Sequence, residues 1–138
     1  MMRILAVDPG EKRIGLALSD PTGTIASPLT VLLHASRPMD AATIGDLAEQ
    51  HQAELIIIGQ SLDDDGYSTP QSRRAARLAD AIRQQCDLPI KMWDESFSTH
   101  AARQARIEMG TSRMKRRGHL DDYAAVVILQ SYLDANTK

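Results

Sequence analysis

Leu55-Ile56-Ile57-Ile58-Gly59 constrains this chain more than any other segment. Four large apolar side chains in succession leave no side on which an extended strand could meet water, so both of its faces must be covered. Such a strand belongs inside a sheet with helices packed on each side. The flanks agree with that placement. Upstream, Asp40 can cap a helix whose inward stripe is Ile44, Leu47 and Ala48 and which ends near Gln52. Downstream, the polar loop Gln60–Thr69 leads to Thr69-Pro70, a capping hydroxyl followed by proline at the first helical position. The helix that begins there turns Ala75, Leu78, Ala79, Ile82 and Cys86 toward the core, and Pro89 precedes a further strand, Ile90–Trp93.

The first third of the chain reads as three strands, Arg3–Val7, Arg13–Ser19 and Thr24–Leu33. Their connectors, Pro9-Gly10-Glu11-Lys12 and Asp20-Pro21-Thr22-Gly23, have tight-turn chemistry. A parallel return would need a dozen or more residues, so these strands form an antiparallel meander. Beyond the fifth strand, Ser98 or Thr99 can cap a third helix stopped by Gly110. Thr111–Gly118 is basic, ends in glycine and reads as a mobile segment. Leu120–Leu133, apolar almost all round, is the last helix and should be well buried. The order βββ-α-β-α-β-α-α predicts an α/β fold with one mixed sheet, helices on both faces and right-handed crossovers.

A length of 138 residues is about that of one domain, and the expectation is a single domain over residues 1–138. The longest apolar runs, Leu55–Ile58 and Ala124–Leu129, fall far short of the ~18 residues that span a bilayer. Asp8 interrupts the N-terminal apolar stretch too early for a secretory signal. Cys86, the single cysteine, cannot form an internal disulfide and excludes a cysteine-rich zinc site. The expectation is a soluble cytoplasmic protein with no membrane association. Its formal charge of −2 hides an asymmetry. Residues 103–119 carry a net +5 and the remainder −7. Charge alone is equally consistent with a solvated surface and with a polyanion-binding segment.

Acidic residues supply the reason for a basic flank. Asp8 closes the first strand within Asp8-Pro9-Gly10-Glu11-Lys12-Arg13-Ile14-Gly15, where Gly10 permits the bend into the second. Taken alone this is an ordinary turn aspartate. The same D-x-G pattern occurs in sugar-kinase and actin-type ATPases, but those need a second, duplicated domain. Asp94-Glu95-Ser96-Phe97-Ser98-Thr99 stands at the carboxyl end of the fifth strand, where α/β sheets bind ligands, although acids at a helix start also stabilise it. Asp121 and Asp122, after Gly118-His119-Leu120, begin the last helix. Asp63–Gly66 lacks the downstream glutamate of an EF-hand and is not a calcium loop. Asp8, Glu95 and Asp121 each lie at a strand end or a helix start, so they could converge. Three clustered carboxylates repel unless cations lie between them. Hard oxygen donors suit Mg²⁺ or Mn²⁺, and two such ions ~3.5–4 Å apart can activate water and stabilise the leaving oxygen of a phosphodiester. Arg113, Lys115, Arg116 and Arg117 would then hold the phosphate backbone.

Together these motifs resemble the YqgF/RuvX family, RNase H-like proteins regarded as pre-16S rRNA nucleases and related to the Holliday-junction resolvases. The likeness runs nearly end to end. It rests on the Asp8–Gly15 motif, Gly66 with Pro70-Gln71, Asp94–Thr99, and Gly118-His119-Leu120-Asp121 leading into Ala124–Leu133. It implies Asp8, Glu95 and Asp121 as the catalytic, metal-binding set and a five-stranded sheet whose first three strands are antiparallel. It also implies structured RNA as the substrate, with pre-rRNA or ribosomal precursor particles as partners. The alternatives are branched DNA cut by a resolvase-like endonuclease, which would need a dimer, and a non-catalytic nucleic-acid- or ribosome-binding protein. Two departures stand out. Gly59-Gln60-Ser61 replaces the family's usual Gly-Leu-Pro, and Asp122 adjoins Asp121 where the family has a small or apolar residue. Successive helical residues point about 100° apart, so one of the two aspartates faces the site, and the motif favours Asp121. Arg13 can steady the site or form a surface ion pair. Arg73, Arg74 and Arg77 can grip phosphate or form a solvated helix face. His100 and His119 are candidate proton carriers, with bystander the plainer reading.

Overall fold

The computed structural model describes residues 2–95 and 120–136, the first three of the latter stretch as backbone. Its elements are β1 (Ile4–Pro9), β2 (Arg13–Ser19), β3 (Ala26–Leu33), α1 (Arg37–Gln50), β4 (Leu55–Gln60), α2 (Pro70–Gln85), β5 (Ile90–Asp94) and α3 (Leu120–Asn136). The five strands form one sheet in the order β3-β2-β1-β4-β5. β1 and β2, and β2 and β3, pair antiparallel, whereas β1–β4 and β4–β5 are parallel.

The apolar run of β4 is divided between two cores. Ile56 and Ile58, with Leu5 and Val7 of β1, face α1 and α2 and pack with Ile44, Ala75, Leu78 and Ile82. Leu55 and Ile57, with Ile4 and Ala6, face α3 and pack with Ala125, Ile128, Leu129, Tyr132 and Leu133. This alternation is the period-two geometry of a strand expressed on two covered faces, and it matches the expectation from sequence. Continued by one step, it assigns Asp8 of β1 and Gly59 of β4 to the α3 face. Trp93 of β5 lies on that face too, edge-on to Tyr132 with ring centroids 5.2 Å apart.

Several boundaries differ from the sequence reading. α1 is capped by Ser36, whose hydroxyl accepts from Met39 N at 3.3 Å, and Asp40 lies inside the first turn. Pro38 explains the earlier start, since the first turn has no use for the N–H that proline lacks. Asp40 is instead buried, taking the N–H of Ala35 at 3.1 Å and standing 2.5 Å from His34 Nδ1. β3 begins at Ala26 because the Asp20 carboxylate takes the N–H groups of Thr24 and Ile25 for the preceding turn. β1 continues to Pro9, β5 to Asp94 and α3 to Asn136, while Cys86 is the half-buried residue that ends α2. The helix expected from Ser98 or Thr99 to Gly110 and the basic stretch Thr111–Gly118 lie outside the described residues. Among the described residues no helix is long and apolar enough to cross a membrane.

Candidate active site at the carboxyl edge of the sheet

Asp8 is delivered by the last turn of the β1 ladder, where it pairs in register with Gly15. The hairpin that follows closes tightly at Gly10, where a Cβ would stand 2.2 Å from the Arg13 carbonyl oxygen. No side chain fits there, which is the physical reason for glycine two residues after the aspartate. Glu95 is delivered by β5. The β4–β5 ladder runs to Gln60 and Asp94, and the Glu95 N–H extends it by bonding the Gln60 carbonyl at 2.6 Å. Two residues on from Trp93, Glu95 falls on the α3 face, and its side chain lies across Gly59. A Cβ at position 59 would be 2.9 Å from Glu95 Oε1 and 2.6 Å from Ile128 Cδ1.

Two carboxyl groups separated by 87 positions in sequence are thereby brought into hydrogen-bonding contact, Glu95 with Asp8. Two carboxylates bond in this way only when one of them holds a proton. Glu95 has its pKa raised, chiefly because burial penalises the charged form and further because the Asp94 charge is close, while the hydrogen bond with Asp8 acts in the opposite sense. The place a proton would take between these two half-buried acids is one that a cation can take instead.

The third expected acid, Asp121, lies in the first turn of α3. At the opposite end of the sheet, Gln130 of this helix bonds the Ala26 N–H and the Thr24 carbonyl, both at 3.0 Å. Ile128, earlier in the helix, meets Gly59 near the carboxyl ends of β1 and β4. Tyr132, one turn beyond Ile128, takes the Lys91 ammonium at 3.4 Å, and Lys91 lies two residues before the Trp93 that pairs with Gly59. The helix therefore runs from the carboxyl edge toward the amino edge of these strands, and its first turn begins on the side of Asp8 and Glu95. The side chains of Asp121 and Asp122 lie outside the described residues, as do Arg113, Lys115, Arg116, Arg117, His100 and His119. Among the described residues no three Asp, Glu, His or Cys side chains form a metal-holding group.

Arg74 pairs with Glu11 of the β1–β2 turn at 3.1 Å, whereas Arg73 reaches only the neutral Ser68 Oγ at 3.4 Å. Asp63 organises the acidic loop by accepting from Asp65 N and Tyr67 N, a turn role and not an ion site. Sequence reasoning did not find Gly59 as the floor beneath Glu95 or Gln71 as a contact of the β4 end. Gly59 reads as the tail of an apolar strand because its partner arrives from another strand.

Residues 2–135 match the model of a family described as RuvX, Holliday junction resolvase. A protein of Clostridium kluyveri named "Putative pre-16S rRNA nuclease" is 39% identical over 137 residues, covering 99% of this chain and 100% of that protein. A relative of the same name from Clostridium botulinum is 37% identical over the same spans. Among solved structures, Thermus thermophilus RuvC in complex with a Holliday junction superposes with a TM-score of 0.68 at 15% identity, over 99% of this chain and 96% of that one. The fowlpox virus Holliday junction resolvase gives 0.59 at 16% identity, over 97% and 99%. At these identities the two structures establish a shared architecture, the RNase H-like fold.

Proposed function

Because the chain belongs to the RuvX family, we propose that it is a divalent-metal-dependent nuclease that hydrolyses phosphodiester bonds of structured RNA and processes the 5′ end of pre-16S rRNA in the cytoplasm. The observation that carries this reading is the contact between Asp8 and Glu95, two acids held against each other at the carboxyl edge of the sheet. The names of the curated relatives supply the substrate class.

The donor set fits a hard cation. Asp8 and Glu95 offer carboxylate oxygens, the ligands that Mg²⁺ and Mn²⁺ prefer, and Asp121 is the third ligand in this reading. Once bound, such an ion activates water and stabilises the departing oxygen of a phosphodiester. The chain's own contributions are distinct from that chemistry. Gly59 leaves room for the Glu95 carboxylate to reach Asp8, and the Glu95 N–H is pinned to Gln60 so that the acid cannot drift. Burial and the nearby Asp94 charge raise the Glu95 pKa, a cost that a bound cation would relieve. In this reading Arg113, Lys115, Arg116 and Arg117, shortly before α3 in sequence, supply positive charge for the RNA backbone.

The family's description as a Holliday junction resolvase favours a second reading, a branched-DNA endonuclease. Resolving a junction takes two symmetric cuts and hence a dimer. One experiment separates the readings. Purified protein is incubated with Mn²⁺ or Mg²⁺ and either a pre-16S rRNA leader or a synthetic four-way DNA junction, beside Asp8→Asn. RNA cleavage abolished by Asp8→Asn is the expected result. RNA cleavage that survives the substitution sinks the mechanism, symmetric incision of junctions alone favours the resolvase, and no cleavage of either favours a nucleic-acid- or ribosome-binding protein.

A further inference from the structure

Gln71 occupies the second position of α2, yet both ends of its amide reach back to the end of β4. Its Oε1 accepts from Ser61 N at 2.5 Å, and its Nε2 donates over a longer 3.4 Å to the Gly59 carbonyl. These two groups flank Gln60, whose carbonyl takes the Glu95 N–H at 2.6 Å. Gly59 is also the residue over which the Glu95 carboxyl lies. One amide therefore grips the backbone on both sides of the residue that anchors Glu95, and it grips the very residue that forms the floor beneath it. The Thr69 hydroxyl adds to this hold by donating to the Ser61 carbonyl.

The start of α2 does not need Gln71. Thr69 and Ser72 already form a reciprocal capping box, and Pro70 fills the first helical position. The amide is thus free to serve the strand end. Its shorter bond is to a backbone N–H, which any residue but proline at position 61 would offer.

We infer that Gln71 is a positioning residue for Glu95, and that it holds the β4 end at two points, the Ser61 N–H and the Gly59 carbonyl. The role rests on the reading of Glu95 as a metal-holding acid, but the hold itself can be measured without activity.

Gln71→Met keeps side-chain length and helix propensity and removes both hydrogen bonds. Amide hydrogen exchange at Glu95 in the metal-free protein should accelerate about tenfold, because its acceptor strand end is loosened. The Mn²⁺ dissociation constant from calorimetry should rise and kcat should fall by about tenfold or more, with KM for RNA within about twofold, as expected for a misplaced reacting group. If Gln71 only stabilises the helix start, Gln71→Met lowers the melting temperature and leaves Glu95 exchange and kcat unchanged, which overturns the inference. Ser61→Pro removes the shorter bond alone and should give a smaller acceleration at Glu95. Adding Gln71→Met to Ser61→Pro should then have less effect than Gln71→Met by itself, and strictly additive effects overturn the two-point hold. Should Gln71→Met fail to fold, unchanged Glu95 exchange in Ser61→Pro overturns the inference. If the unmodified protein cleaves neither RNA nor junctions, the nuclease reading fails, while Glu95 exchange still decides the role of Gln71.

Discussion

A methyl group at position 59 would meet Glu95 Oε1 at 2.9 Å and Ile128 Cδ1 at 2.6 Å. Both atoms are the far ends of side chains that can turn away, so Gly59→Ala should fold with a loss of about 1–3 kcal/mol from overpacking. The turn of Glu95 is what matters, because it separates the acid from Asp8. Mn²⁺ affinity and cleavage rate should both fall by up to about a hundredfold, read by calorimetry and single-turnover kinetics, while circular dichroism stays native. Position 10 behaves oppositely. There the added Cβ would meet the Arg13 carbonyl oxygen at 2.2 Å, and backbone cannot rotate out of the way. Gly10→Ala should therefore reduce stability by about 2 kcal/mol or more, seen as a lower denaturant midpoint with an unchanged slope, and reduce activity as Asp8 loses its hairpin. Sequence pattern made Gly10 legible, because an aspartate at a strand end followed by glycine is a turn signal. It could not make Gly59 legible, because the crowding comes from Glu95 and Ile128, more than thirty residues away.

Elements were read more securely than their ends. The β4 run, the β1–β3 meander and the Thr69-Pro70 helix start all carry signals within a few residues, and each stands where periodicity and turn chemistry put it. α1 shows why ends fail. Asp40 is a good capping residue, but Ser36 is also one, and Pro38 between them decides in favour of the earlier site. Asp40 then serves a different need, satisfying the Ala35 N–H and His34 Nδ1 at the entry to the helix. The two cap hydroxyls make a controlled comparison. Ser36→Ala and Thr69→Ala should each reduce stability by about 1 kcal/mol in urea unfolding. Only Thr69→Ala should also slow cleavage, because the Thr69 hydroxyl holds the Ser61 carbonyl beside the Glu95 anchor. Equal activity in the two variants would show that the β4–α2 connection does not transmit to the site.

Across the whole molecule, two helical layers press on a sheet whose carboxyl edge holds Asp8 and Glu95 in hydrogen-bonding contact. Burial and the Asp94 charge raise the Glu95 pKa above that of the unfolded chain. Between the ordinary glutamate value and the raised one, the folded protein keeps a proton that the unfolded chain has released. The stabilising contribution is complete below the ordinary value and is lost as pH rises through the raised value. Asp20 acts in the other direction. The Ile25 N–H, the Thr22 hydroxyl and the Thr24 N–H hold its pKa well below the usual carboxylate range, so its contribution is present above the ordinary value and lost as pH falls toward strong acid. The two windows do not overlap, and Glu95→Gln isolates the first. Glutamine is neutral throughout and can still donate to Asp8, so in chelator the melting temperature of Glu95→Gln should gain on that of the unmodified protein as pH rises toward neutrality. Saturating Mn²⁺ should reverse the order, because the ion takes the place of the shared proton and stabilises the unmodified protein by about 2.7 kcal/mol at a hundredfold excess over its dissociation constant. A melting temperature that responds to Mn²⁺ equally in both proteins, or a pH trend that persists in Glu95→Gln, would mean that Glu95 is not the group through which the fold senses proton and metal.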